Sequence, residues 1–333
     1  LSKKDRLSLI MFRTEIDNIH LPFSISHQDQ LMTLGSCFAE EIGQKLVSNK
    51  FKTQVNPFGT IFNPLSIFEL ISLAMEPIAI IEDAILERDG LYYNYKFHSS
   101  YRSETKSGLL KMIQDQLAQT RKQLTKTKVL FLTFGTAWAY QAKNSQMLVA
   151  NCHKQPQKHF NKYLLGYEEI LTAFMGMKES LQEINPDLQI VLTVSPVRHT
   201  KETLSLNAAS KSVLKLACHY LSDMAENVNY FPSYEIMLDD LRDYRFYEKD
   251  LIHPNEQAID YIWDVFTKTF CTGNTRKTLN EWDKVSRSLS HKPFNTKVEK
   301  HQRFLHQTLE KLLNLKDRLD VEQEINQVKA QIN

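Results

Sequence analysis

A chain of 333 residues with 42% apolar and 24% charged residues can bury a full core as one large or two modest domains. Its formal charge of +2, with lysines and acids interspersed, gives no field of the kind that grips nucleic acid. Scattered Cys37, Cys152, Cys218 and Cys271 offer no zinc-ligand spacing, and no stretch approaches the roughly eighteen apolar residues of a membrane span.

The prelude is basic at Lys3, Lys4 and Arg6 but has no following apolar core of signal-peptide length. With unpaired cysteines, this points to a cytoplasmic protein. Asp17 and His20 form an Asp-x-x-His pattern in a segment with no strand or helix signal to fix it. Next, Leu31 to Leu34 reads as a strand and Phe38 to Val47 as an amphipathic helix, with Gly35 and Ser36 between them. A serine there serves either as a helix N-cap or as a nucleophile exposed at the carboxyl edge of a parallel sheet. Cys37 is the rival nucleophile, but its position predicts a side chain turned toward the core.

Asn56 to Pro64 is a loop with two prolines and a glycine, long enough to reach over that edge. Helical patterns follow at 109–124, 167–184 and 207–226, alternating with strand-like runs at 129–134 and 189–194. The strands end at Gly135-Thr136 and at Ser195-Pro196-Val197-Arg198-His199. Ligands of open α/β folds bind beyond the carboxyl ends of the strands, so these segments and Ser36 are expected to share one crevice. Arg198 and His199 are candidate substrate contacts there, against a plain loop-bonding role. Trp138 and Tyr140 either line the crevice or enter the core. Cys152, His153 and His159 lack a carboxylate at helical spacing, so no metal site is expected.

Asp250-Leu251-Ile252-His253-Pro254 precedes an amphipathic run in which Ala258, Ile259, Ile262, Val265, Phe266 and Phe270 share a face. Pro254 reads as a first-turn residue of that helix. The three-residue step lets Asp250 reach Nδ1 of His253 and leaves Nε2 free to take a serine proton. Backbone amides of Ser36 and Gly59 are candidate oxyanion donors, joined by the Gly135-Thr136 turn or the Asn63 side chain. Beyond Gly273 the chain is polar and helix-prone, with leucines in a slipping phase. Residues 1–272 are therefore expected to be the catalytic domain, and 273–333 a helical extension packed on it or on a second copy of the chain.

Gly35-Ser36-Cys37-Phe38-Ala39 resembles the signature of the GSCFA family, a bacterial branch of the SGNH (GDSL-like) hydrolase superfamily. The resemblance runs through Asn56–Pro64, Thr133–Trp138, Ser195–His199 and Asp250–Pro254, in the expected order. It implies a three-layer α/β/α sandwich around a flavodoxin-like parallel sheet, with Ser36 as nucleophile, Asp250 and His253 as its partners, and Gly59 as the second block's glycine. The superfamily's third block reads Gly-x-Asn-Asp, whereas here it is Gly135-Thr136-Ala137-Trp138; Thr136 or Asn63 would have to replace the missing asparagine. The function implied is hydrolysis of a small acyl ester, such as an O-acetyl group on a carbohydrate, through an acyl-serine and without cofactor. The alternatives are an O-acyltransferase using the same residues, an inactive glycan- or lipid-binding protein, and a scaffold acting through its carboxyl-terminal helices.

Overall fold

The computed structural model describes residues 13–16, 19, 21–76, 84–290 and 299–332. Asp17 and His20 lie outside the described residues. Five parallel strands form the central sheet: β1 (Gln30–Gly35), β2 (Lys52–Val55), β6 (Thr127–Phe134), β10 (Gln189–Val194) and β11 (Val228–Tyr230). Their spatial order is β2-β1-β6-β10-β11, the flavodoxin-like arrangement. The chain steps from β1 outward to β2, then returns to the other side of β1 with β6, so the topological switch lies where β1 and β6 end.

Alternation along the strands builds the three layers. Met32, Leu34, Leu130, Leu132, Phe134, Ile190, Leu192 and Val194 face one core. That core is covered by α2 (Pro64–Met75), α3 (Lys106–Leu124), α4 (Tyr167–Ile184) and α5 (Leu204–Met224). Leu31, Val129, Phe131 and Val191 face the other, beneath α1 (Cys37–Ser48) and α7 (Glu256–Phe270). Phe266 and Phe270 of α7 meet Phe131 there at ring distances of 5.3 Å.

Two small antiparallel sheets interrupt the alternation. One holds β3 (Ile85–Arg88), β4 (Leu91–Asn94) and β5 (Arg102–Ser103); the other holds β7 (Trp138–Ala142), β8 (Leu148–Val149) and β9 (Phe160–Leu164). Their strands are short and partly exposed, so they lack the apolar runs that mark the central ones. Trp138 and Tyr140 belong to β7, where the Lys162 ammonium stands 5.0 Å and 5.5 Å from their ring centres.

Polar caps set the helix starts. Thr105 and Thr203 accept from Gly108 and Leu206 amides, so α3 and α5 begin three residues before the starts expected at 109 and 207. Asn255 caps α7 by accepting from the Ala258 amide. Pro254 thus precedes the cap rather than opening the helix; it bridges to Tyr247 instead. The short α6 (Ser233–Glu235) runs into a π-helical turn at Ile236–Leu241. Finally, α8 (Gly273–Ser290), α9 (Glu299–Leu315) and α10 (Glu322–Lys329) pack around Trp282, Val285, Leu305, Leu312 and Val328. They rest on the end of α1: the Trp282 indole donates to the Ser48 carbonyl at 2.8 Å, and Lys50 pairs with Glu324 at 2.6 Å. Among the described residues no helix is long and apolar enough to cross a membrane.

Candidate active site

The junction of β1 and α1 is built on Gly35. Its φ of +142° is open to glycine, and a Cβ would lie 2.1 Å from the Thr133 carbonyl oxygen of β6. Asn56 Oδ1 accepts the Gly35 amide at 2.9 Å, and the Ile61 amide donates to the Gly35 carbonyl at 2.9 Å. The 56–63 loop is thereby fastened over the strand ends. Ser36 follows with extended backbone, φ −68° and ψ 177°, at the N-cap of α1, yet its side chain makes no capping bond. The hydroxyl is fully buried and has no hydrogen-bond partner. An unsatisfied buried hydroxyl costs about 1–3 kcal/mol, and such costs concentrate at functional sites. Burial pushes the neighbouring Cys37 thiol's pKa up, which disfavours the thiolate.

Asp250 and His253 form a preorganised pair. Leu251 adopts a left-handed φ of +58°, folding the chain so that Asp250 Oδ1 accepts the amides of Ile252 at 2.9 Å and His253 at 3.0 Å. Oδ2 is left for Nδ1 of His253 at 2.7 Å. The imidazole bond, followed by the amides, pulls the carboxyl pKa down to about 2. With Nδ1–H donated to the carboxylate, the neutral imidazole presents Nε2 as acceptor. This loop is fixed to the end of β10 by the Arg198 amide, which donates to the Ile252 carbonyl at 3.2 Å. The Arg198 guanidinium lies 4.1 Å from the centre of the Tyr247 ring and 5.3 Å from that of Tyr244.

His199 connects the two parts. A Cβ placed on Gly135 would lie 3.2 Å from Ser36 Cβ, 3.2 Å from His199 Nε2 and 3.0 Å from Phe62 Cδ1. Bare Gly135 therefore leaves open the point on which serine and imidazole converge. The His199 ring stands edge-on to Phe62 at 5.4 Å, and its backbone amide donates to Asn207 Oδ1 at 2.9 Å. Nε2 is buried without a partner. Burial, then the positive fields of Lys211, His253 and Lys201, pushes its pKa down to about 4.

Three residues of α5 hold the crevice together, and the sequence reading missed them all. Asn207 grips the 195–199 loop. Ser210 Oγ accepts the Ala137 amide at 2.7 Å and bonds Thr136 Oγ1 at 3.0 Å. Lys211, only 1% exposed, donates to the carbonyls of both Gly135 and Ser195 at 2.7 Å. Burial pushes its pKa down to about 7, and the neutral amine still has a donor for each carbonyl. The spacing i, i+3, i+4 is a helical face that continues into apolar Leu214, Ala217, Cys218 and Leu221. A polar start to an apolar stripe was the available signal.

The expected oxyanion donors are engaged elsewhere. The Ser36 amide donates to Thr133 O at 3.0 Å and the Gly59 amide to Asn56 O at 2.7 Å. Those of Gly135 and Thr136 both donate to Phe62 O, at 2.8 Å and 3.1 Å. Asn63 is the N-cap of α2, its oxygen taking the Ser66 amide and its nitrogen donating to Ser66 Oγ, each at 2.9 Å. Thr136 Oγ1 is shared between Ser210 and the Trp138 amide. Strand ends and loop starts satisfy their own backbone groups first. Gly59 is required instead by its φ of +75° and by His98, whose Cβ would lie 2.5 Å from an added side chain. Ser36 Oγ makes no hydrogen bond to His253, contrary to the expected serine–imidazole contact. His153 is a buried structural residue bonded to the Asn94 carbonyl at 2.8 Å. Among the described residues no three His, Cys, Asp or Glu side chains cluster to hold a metal.

No curated protein sequence matches the chain. Similar solved structures include a carbohydrate esterase family 3 protein from Talaromyces cellulolyticus, with 10% identity and a TM-score of 0.29 over 77% of this chain and 99% of that one. An acetyl xylan esterase from the rumen bacterium Butyrivibrio proteoclasticus is 11% identical, with a TM-score of 0.34 over 73% of this chain and 65% of that one. A family two carbohydrate esterase from Clostridium thermocellum, solved with cellohexaose, is 13% identical, with a TM-score of 0.32 over 79% and 67%. Residues 282–333 match the C-terminal domain of GSCFA domain proteins, and residues 30–266 match the GSCFA family itself. The chain belongs to the GSCFA family.

Proposed function

We infer that this protein is a serine esterase that hydrolyses a small acyl ester through an acyl-serine intermediate. The observation that carries the reading is the Ser36 hydroxyl, buried at the switch point without a hydrogen-bond partner, in a serine whose capping role is unused. The oriented Asp250–His253 pair supports it from the adjoining loop. Full burial of Ser36 at the crevice floor favours a short acyl group, and the exposed Tyr244 beside Arg198 at the rim suits a carbohydrate alcohol.

In this mechanism Ser36 Oγ attacks the ester carbonyl while His253 Nε2 takes its proton. Asp250 holds the resulting imidazolium, which then protonates the departing alcohol oxygen. Water, deprotonated by the same nitrogen, attacks the acyl-serine; the acyl carbon–Oγ bond breaks, the imidazolium returns the proton to Ser36 Oγ, and the acid leaves. The serine–imidazole bond forms with substrate in place, as catalytic bonds often tighten only in the bound complex. The test is labelling of the intact protein with a fluorophosphonate, alongside p-nitrophenyl acetate turnover. Labelling on Ser36 and its loss in Ser36→Ala are expected; turnover persisting in that variant would overturn the reading. Product analysis with an added alcohol separates hydrolysis from transfer to a second hydroxyl.

A further inference from the structure

An acyl-serine mechanism needs donors aimed at the carbonyl oxygen as it becomes negative, and this is commonly the largest contribution to rate. Around Ser36 the amides of Ser36, Gly59, Gly135 and Thr136 and the Asn63 side chain already have acceptors. Among the described residues, a nitrogen that converges on the serine has none. His199 Nε2 is buried, unpartnered, and converges with Ser36 Cβ on the open face of Gly135. We propose that the Nε2–H of His199 is the side-chain donor to the oxyanion formed on Ser36. This rests on the esterase reading above and adds a catalytic residue to it.

Three features suit the role. Phe62 packs edge-on against the ring and Asn207 holds the backbone, so the imidazole is oriented before substrate arrives. Burial acts on the ring first, then the cationic forms of Lys211 below, Lys201 on its own loop and His253 across the crevice. They oppose a charged His199 and keep it a neutral donor, which polarises a carbonyl without giving up its proton. They equally disqualify it as the base, which must become an imidazolium. The steps balance without it changing charge. The serine oxygen–carbon bond forms, the carbonyl π pair moves to oxygen and is held by Nε2–H, and the serine proton travels through His253 to the leaving alcohol.

The experiment compares p-nitrophenyl acetate kinetics of wild type, His199→Gln and His199→Leu, with melting temperatures. His199→Leu should lose about 10²- to 10³-fold in kcat with KM nearly unchanged. His199→Gln, which retains an N–H donor, should recover much of the rate, and neither variant should shift the acid limb of the pH–rate profile. Equal impairment of both variants, a normal rate in His199→Leu, or a displaced acid limb would each overturn the proposal. Wild-type protein with ¹⁵N-histidine keeps it testable should the variants misfold. On formation of the phosphonyl-Ser36 adduct the His199 Nε2 proton should move downfield, and an unmoved signal overturns the proposal. Wild type that cannot be labelled at all removes the esterase reading together with this one. Labelled protein with an unmoved signal removes this one alone.

Discussion

Nδ1 of His253 lies 2.7 Å from Oδ2 of Asp250, and the other oxygen of that carboxylate is held by two amides of the same loop. Three hydrogen bonds thus oppose rotation of the carboxylate away from the ring. Asp250→Asn would turn an N–H or a weak acceptor toward Nδ1 and favour the wrong imidazole tautomer. Turnover of p-nitrophenyl acetate should fall by on the order of 10²- to 10⁴-fold. Since the folded carboxyl titrates near 2 rather than 3.8, it remains ionised through any acid limb above about pH 3. Its small stabilisation is full above 3.8 and fades as pH falls through 2. Urea melts at pH 7 and pH 2 check this: wild type and Asp250→Asn should differ less at the lower pH.

Ser36→Ala separates capping from catalysis by stability alone. Loss of a working N-cap costs about 0.5–2 kcal/mol. Ser36 Oγ bonds nothing, so its removal should leave stability unchanged or slightly raised while turnover disappears. Chemical denaturation of wild type and variant is the measurement, and a loss above about 1 kcal/mol contradicts the geometry.

Lys211→Met strips donors from two strand-end carbonyls at once. Each unsatisfied carbonyl costs about 1–3 kcal/mol, so a loss of several kcal/mol is expected, with kcat and KM both impaired as Gly135 and the 195–199 loop part. The folded ammonium titrates near 7 against 10.5 unfolded. The unfolded chain therefore binds the extra proton between those values, and this group makes stability rise with pH across the window. In Lys211→Met that rise should be absent from urea melts taken between pH 7 and 10.

His27 contributes to the loss of stability on the acid side. Its ring is stacked on Phe51 at 4.3 Å, and burial pushes its pKa from 6.5 to about 4. Between these values the unfolded chain takes a proton that the folded ring refuses, so stability falls as pH drops from 6.5 toward 4. The contribution is roughly 3 kcal/mol at most. His27→Phe should reduce this decline in melts at pH 7, 6 and 5 and leave the comparable slope due to His199, whose pKa is pushed down to about 4 as well.

Long apolar runs made β6 and β10 readable, because strands covered on both faces must be hydrophobic throughout, and helical spacing of apolar residues made α4 readable. Gly35, Ser36, Asp250 and His253 were legible because their geometry is local: a turn, and a three-residue step. The oxyanion donors were not. Whether an amide is free depends on which carbonyl lies opposite, and Thr133 and Phe62 are remote in sequence from the amides they accept. Lys211 carries no mark in the sequence that sets it apart from other lysines, because a buried amine reveals itself only through the carbonyls it meets.

Helix α1 carries Ser36 at one end, and the carbonyl of its last residue, Ser48, accepts from Trp282 at the other. Its twelve residues make a rod about 18 Å long. Excising everything past Gly273 would thus do more than delete a docking platform. It would unclasp the distal tip of the strut whose other end seats the proposed nucleophile, and a drop in esterase activity is the expected result of such a cut.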